Sequence, residues 1–300
     1  MNNTHLRFAG LPMDIGRIIL EEAVSDATPM SWKWALLSKR VRTWLEPVLY
    51  RHVLLDDQAS FAAFHASIMA HPAKSPNFFA MHVKTLAIPR GWAYPPSQVL
   101  EVLEACSGVH TLLLRLLPLT AECAAVFDVT ALSLAPRRLS IFIPTFGGFS
   151  HSIFRNLTHL ELLFGHPGVM EWDWADLKGM ESLTHLCVRG PENFFCSLEE
   201  SGAFLEGILP LVPISVGVIV LWVRVTSLRG AEKLGGMDPR VVVLETSGKE
   251  KYVDCEEAVV SPHVIFRNHM DLRNDWMYVA CREEDYWSQA ERKVQKRRHR

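Results

Sequence analysis

Residues 157–162, Leu-Thr-His-Leu-Glu-Leu, and residues 183–188, Leu-Thr-His-Leu-Cys-Val, decide the fold. Apolar positions that alternate with polar ones over so short a run predict a strand with one buried face. The pattern recurs upstream as Val83-Lys-Thr-Leu86-Ala-Ile88, Val109-His-Thr-Leu112-Leu-Leu114 and Pro136-Arg-Arg-Leu139-Ser-Ile141. Fainter copies follow as Val216-Gly-Val-Ile219-Val-Leu221 and Arg240-Val-Val-Val243. The central leucines Leu86, Leu112, Leu139, Leu160 and Leu186 are 26, 27, 21 and 26 residues apart.

A repeat of about 20–29 residues built on L-x-x-L-x-L is the signature of leucine-rich repeats. Between the strands the spacing predicts helices. Phe61, Phe64, Ile68 and Met69 share a face within 58–71, and Val99, Val102 and Leu103 share one within 95–105. Ala124, Phe127, Val129 and Leu132 do so within 119–134, as do Phe204, Leu205, Ile208 and Leu209 within 198–211. Strand then helix, repeated, predicts an α/β solenoid of parallel strands. Three units follow: 1–55 helical, 56–285 repeat-bearing, 286–300 a basic tail.

Alternation along the strands also predicts which side chains leave the leucine core. They include Thr85, Ala87, Thr111, Leu113, Arg115, Arg138, Ser140, Phe142, His159, Glu161, His185, Cys187, Arg189, Val220 and Trp222. Aromatic and arginine residues dominate binding hot spots. Arg115, Phe142, Arg189 and Trp222, with His159, Glu161 and His185, are therefore the expected target-binding residues of an open face. Equivalent positions on adjacent strands put His159 and His185 about 5 Å apart. No further ligand accompanies them, so a metal is not expected.

The first 55 residues read differently. Ile15, Ile18, Ile19 and Ala23 recur at helical spacing behind Leu11-Pro12. Thr28-Pro29 breaks that helix, and Ser31 is a candidate N-cap for a second carrying Trp34, Leu37, Val41, Trp44 and Leu45. Pro47 ends it or restarts it as a short third helix. Helices this small cannot bury so much apolar surface among themselves, so part of it faces a partner and part caps the first repeat.

Leu11-Pro-x-Asp14-Ile15-x-x-Ile18-Ile19, then Ala35-Leu-Leu-Ser-Lys-Arg-Val-Arg-x-Trp44 and Glu46-Pro-x-Leu-Tyr-Arg51, resembles an F-box of the divergent fungal type. Ser38 stands where many F-boxes have Cys. The resemblance implies that Leu11, Pro12, Ile15, Ile18, Ile19, Leu36, Leu37, Val41 and Trp44 bind a Skp-type adaptor. It further implies a substrate-recognition subunit of a cullin-RING ubiquitin ligase, with the repeats holding the target. The alternative is a scaffold that uses the repeat face alone, outside ubiquitination.

Composition limits the other classes. Thirty-one Lys and Arg against 33 Asp and Glu leave a net charge of −2, which does not suggest general nucleic-acid binding. The six cysteines form no CxxC pair, so reduced thiols in the cytoplasm or nucleus are expected. Residues 1–10 lack the apolar core of a signal peptide. The uncharged run 207–223 is short, broken by Pro210 and Pro213, and β-branched in its second half, which predicts a buried strand rather than a membrane span. Glu171, Asp173 and Asp176 beside Trp172 and Trp174 read as a solvated loop. No GxSxG, HExxH or phosphate-loop motif is present, so neither catalysis nor a cofactor is expected. Residues 285–300 read as a helix pattern that becomes basic, ERKVQKRRHR; a solvated tail is expected, with a nuclear import or nucleic-acid patch as the alternative.

Overall fold

A computed structural model of the chain describes residues 11–25, 31–70, 75, 77–89, 94–115, 132–142, 149–163, 174–190, 198–223, 228–245, 261–267, 276 and 284–299. The molecule is α/β. Its spine is one parallel sheet of nine strands whose spatial order is their order in the chain. These are β1 His52–Leu54, β2 Thr85–Ile88, β3 Thr111–Leu114, β4 Arg138–Phe142, β5 His159–Leu163, β6 His185–Arg189, β7 Val218–Trp222, β8 Val241–Glu245 and β9 Val264–Phe266. Strands β2 to β8 coincide with the seven L-x-x-L-x-L copies. Strand β1 lies just before the boundary expected at residue 55, so the first strand belongs to the segment read as helical.

The leucine pattern sets the register. Val53, Leu86, Leu112, Leu139, Leu160, Leu186, Ile219 and Val241 form one unbroken row across eight strands. Any slip by one residue would move every leucine to the other face. Strand starts are joined in a uniform way. The carbonyls of Arg51, Lys84, His110, Arg137, Thr158 and Thr184 each accept two consecutive N–H groups from the following strand start. Thr184 Oγ1 also donates to the Thr158 carbonyl at 2.9 Å, and Thr158 Oγ1 to that of Arg137 at 3.0 Å. The threonine of Leu-Thr-His-Leu therefore ties each repeat to the one before it. Before β3 the chain turns at Gly108, where a Cβ would run into the Ala80 carbonyl oxygen; only glycine fits.

Both faces of the sheet are buried. On the first, the leucine rows pack against helices Gln58–Met69, Phe78–His82, Pro96–Ala105, Leu198–Ile208 and Leu228–Gly235. The helices expected near 58, 95 and 198 are these; that expected over 119–134 lies largely outside the described residues. Phe61, Phe64, Phe79, Val99, Val102, Leu103, Phe204 and Leu205 are the side chains they bury. The uncharged run ends in β7, as its branched residues predict, and among the described residues no helix is long and apolar enough to cross a membrane.

The second face departs from expectation. It is covered, not open. The helix pattern expected to be a solvated basic tail is helix Tyr286–Arg298, C-capped by His299, and its Tyr286, Trp287, Ala290 and Val294 are buried against β6–β9. These four follow helical spacing, so the basic residues occupy only the remaining faces. Asp285 caps the helix by accepting from Ser288 N at 2.8 Å. Arg297 at its other end donates to the carbonyls of Pro239 and Val241. Trp276 joins the same apolar layer.

Candidate partner-binding surfaces

Two regions carry the expected functional residues. In the first, helix Met13–Ser25 turns Gly16, Leu20 and Val24 inward, one residue per turn on a single face. Leu20 and Val24 meet Leu45 of helix Lys39–Leu49 in a small core flanked by Val41, Trp44, Val48 and Leu49. Ile15, Ile18 and Ile19 lie off that face and are exposed, Ile18 at 59%.

The segment expected as one helix from Ser31 is two pieces. A 3₁₀ turn covers Ser31–Leu36, and helix Lys39–Leu49 starts afresh with Ser38 as its N-cap, Oγ accepting from Val41 N at 3.1 Å. Local bonding by the serine hydroxyl is what separates them. The break rotates Trp32, Trp34, Leu36 and Leu37 outward, with exposures of 54, 42, 71 and 65%. The second helix then runs through Pro47 to Leu49 instead of stopping there. Its end, Tyr50, meets Phe78 and Phe79 edge-on at 5.6 and 5.4 Å, which links the helical unit to the sheet's first core.

Of the expected adaptor-binding residues, Pro12, Ile15, Ile18, Ile19, Leu36 and Leu37 are exposed, and Leu11 is half-buried. Val41 and Trp44 are corrected: they line the small internal core, because the helix face that carries Leu45 also carries them. Met13 and Trp32, which the motif does not contain, join the exposed set. The first helix and the 3₁₀ turn lie against each other. Lys33, Lys39 and Arg40 are exposed in the same segment as Leu36 and Leu37.

The second region is the covered sheet face. His159 and His185 stack at 4.0 Å with planes 3° apart, and Trp287 meets both edge-on at 5.4 and 5.5 Å. Thr158 Oγ1 and Thr184 Oγ1 lie 3.0 and 2.8 Å from the respective Nδ1 atoms and orient the rings. His185 Nε2 reaches Glu291 Oε1 at 2.8 Å. Burial, with the neighbouring His185 and Arg138, holds His159 down to about 3. Burial lowers His185 too, against the opposing Glu291 carboxylate. Arg138 pairs with Asp285 at 3.1 Å.

Glu161, His185 and Trp222 are buried, and Arg115, Phe142, His159 and Arg189 are half-buried. Their expected place on an open recognition face is therefore corrected. For His159, His185 and Trp222 the physical reason is Tyr286-Trp287-x-x-Ala290-x-x-x-Val294, an apolar stripe on a helix otherwise rich in charge. Both carboxylate oxygens of Glu161 are buried with no hydrogen-bond partner among the described residues. Burial and that carboxylate push the adjacent Cys187 thiol up. Among the described residues no group of three or more His, Cys, Asp or Glu is placed to hold a metal ion. Of the acidic loop only Trp174 and Asp176 fall within the described residues, in a 3₁₀ turn.

No known family model matches the chain, and no curated protein matches it in sequence.

Proposed function

We propose that the chain is a substrate-recognition subunit of a cullin-RING ubiquitin ligase, bound through its N-terminal helices to a Skp-type adaptor. The observation that carries this reading is the outward apolar surface of Ile15, Ile18, Ile19, Trp32, Trp34, Leu36 and Leu37 on a unit with its own separate core. Soluble proteins expose few apolar side chains together unless a partner covers them. Exposed Lys33, Lys39 and Arg40 beside that surface favour a partner of acidic character. The F-box-like order of residues 11–51 fits the same adaptor.

Support for a leucine-rich repeat solenoid comes from the sequential parallel strands and the in-register leucine rows. In this reading the sheet unit supplies the target site. With the β7–β9 end of its second face under helix Tyr286–Arg298, the half-buried ends of the strands around Arg115, Phe142 and Arg189 are the part available to a target.

A pull-down of the full chain with a Skp-type adaptor tests this. Ile18→Asp with Leu37→Asp is expected to weaken capture at least about tenfold, since each buries a charge at the contact. Capture equal to the parent would sink the assignment of this surface. No capture by the parent chain would favour the scaffold reading instead.

A further inference from the structure

The last row of side chains on the second face is Arg115, Phe142, Leu163, Arg189 and Trp222, at the carboxyl ends of β3 to β7. Arg115 extends β3 by one residue, its N–H donating to the Ile88 carbonyl at 3.2 Å. The Arg189 guanidinium stands over the Trp222 ring, 3.6 Å from its centre. Arg115 acts on it as a like charge, and burial together with that charge pulls Arg189 below the ordinary arginine range.

Other arginines packed on this side of the molecule each have at least one acceptor, although, among the described residues, the Nε of Arg138, Arg267 and Arg297 is buried without one. Arg138 has Asp285, Arg240 has Asp238, and Arg267 and Arg297 have backbone carbonyls. Arg115 and Arg189 have no such acceptor among the described residues. Neither guanidinium has a hydrogen bond or an ion pair among the described residues, and Nε of Arg115 is fully buried with no acceptor. Glu161, one row back, acts on Arg189 only through space. One carboxylate therefore stands against two guanidiniums, and the donors of both remain unused. A buried donor without an acceptor is costly.

We propose that Arg115 and Arg189 form a receptor for a phosphate-class oxyanion, set between the ends of β3 and β6 with Phe142 and Leu163 beneath it. A tetrahedral oxyanion presents oxygens on several sides to two guanidinium forks, whereas a carboxylate presents its two oxygens in one plane. Stacking on Trp222 leaves the N–H edge of Arg189 free to donate. The site is independent of the adaptor surface, so its failure leaves that reading untouched.

Inorganic phosphate titrated into the full chain at constant ionic strength, read by thermal unfolding, tests the site. Phosphate is expected to raise the melting temperature, as any ligand of the native state does. Arg115→Gln and Arg189→Gln are each expected to weaken the apparent affinity about tenfold or more. Arg137→Gln, which alters an exposed arginine just before the neighbouring strand, is expected to leave it unchanged. Arg189→Lys keeps the charge without the fork and should fall between, which separates loss of binding from loss of fold. A neutral peptide carrying one phosphoserine distinguishes a peptide-borne phosphate, if it binds more tightly, from a free one, if it does not. No stabilisation by phosphate, equal stabilisation of both glutamine variants, or acetate binding as tightly as phosphate would overturn the proposal.

Discussion

The helical unit before residue 50 and the sheet that follows handle apolar surface in opposite ways. The sheet hides it on both sides: leucine rows under one set of helices, and Cys187, Val220, Trp222, Val242 and Leu244 under helix Tyr286–Arg298. The helical unit hides little more than Leu20, Val24 and Leu45 and leaves its isoleucines, Trp32 and Trp34 outside. A chain that seals one region so fully, by bringing its own C-terminus back across the sheet, does not lack the means to seal the other. The exposed surface is therefore where a partner is expected. The contrast also shows that an alternating strand predicts two faces but not what lies over each.

The largest expected effect breaks the sealed side. Trp287→Ala removes the ring that touches both stacked histidines and should cost about 3–5 kcal/mol. Denaturant unfolding measures the loss, and increased binding of a hydrophobic dye would report the uncovered face. A cost below about 1 kcal/mol would mean that the terminal helix is only loosely held.

A pH effect of intermediate size follows from His159. Its folded value is held at about 3, while an unfolded histidine titrates near 6.5. The unfolded chain therefore binds the proton first as pH falls. Stability should be level above pH 6.5 and decline below it toward about 3, by up to about 1.4 kcal/mol per pH unit for this one proton. His185 adds in the same direction. His52, His110 and His263 are lowered as well, so the measurement is a difference. Unfolding between pH 6.5 and 4.5 should be less steep in His159→Gln than in the parent, and identical slopes would count against the assignment.

The smallest effect sharpens the open side. Ile18→Asp with Leu37→Asp, the pair that should weaken adaptor capture, is expected to change stability by no more than about 0.5 kcal/mol per site. A large loss would mean that these side chains pack within the chain and are not a contact surface.

Much of the sheet was legible because its signal is local and repeated. Each leucine row needs only the residue type at a fixed strand position, and the rows then set the register of every neighbour. The face parity of Ala87, Ser140, Glu161, Cys187 and Val220 was readable for the same reason. The candidate site was readable only in part. Ile15, Ile18, Ile19, Leu36 and Leu37 were placed outward, but Val41 and Trp44 went with them although they face Leu45. That error comes from treating 31–45 as one helix. Ser38 competes for the backbone at the one point where the periodicity alone continues.

By itself, then, the amino-acid sequence determined the α/β class, the strand positions and the side on which each strand residue lies, because period-two patterning and leucine spacing are properties of the chain. Only the tertiary structure decided what covers those sides. Helix Tyr286–Arg298 lies about a hundred residues beyond His185, and no local pattern states that it will return there. The same fold brings together Arg115 and Arg189, 74 positions apart in the chain, and leaves both without an acceptor among the described residues. Their neighbourhood depends on three intervening strand spacings, a distance set by sheet geometry and not by the order of residues.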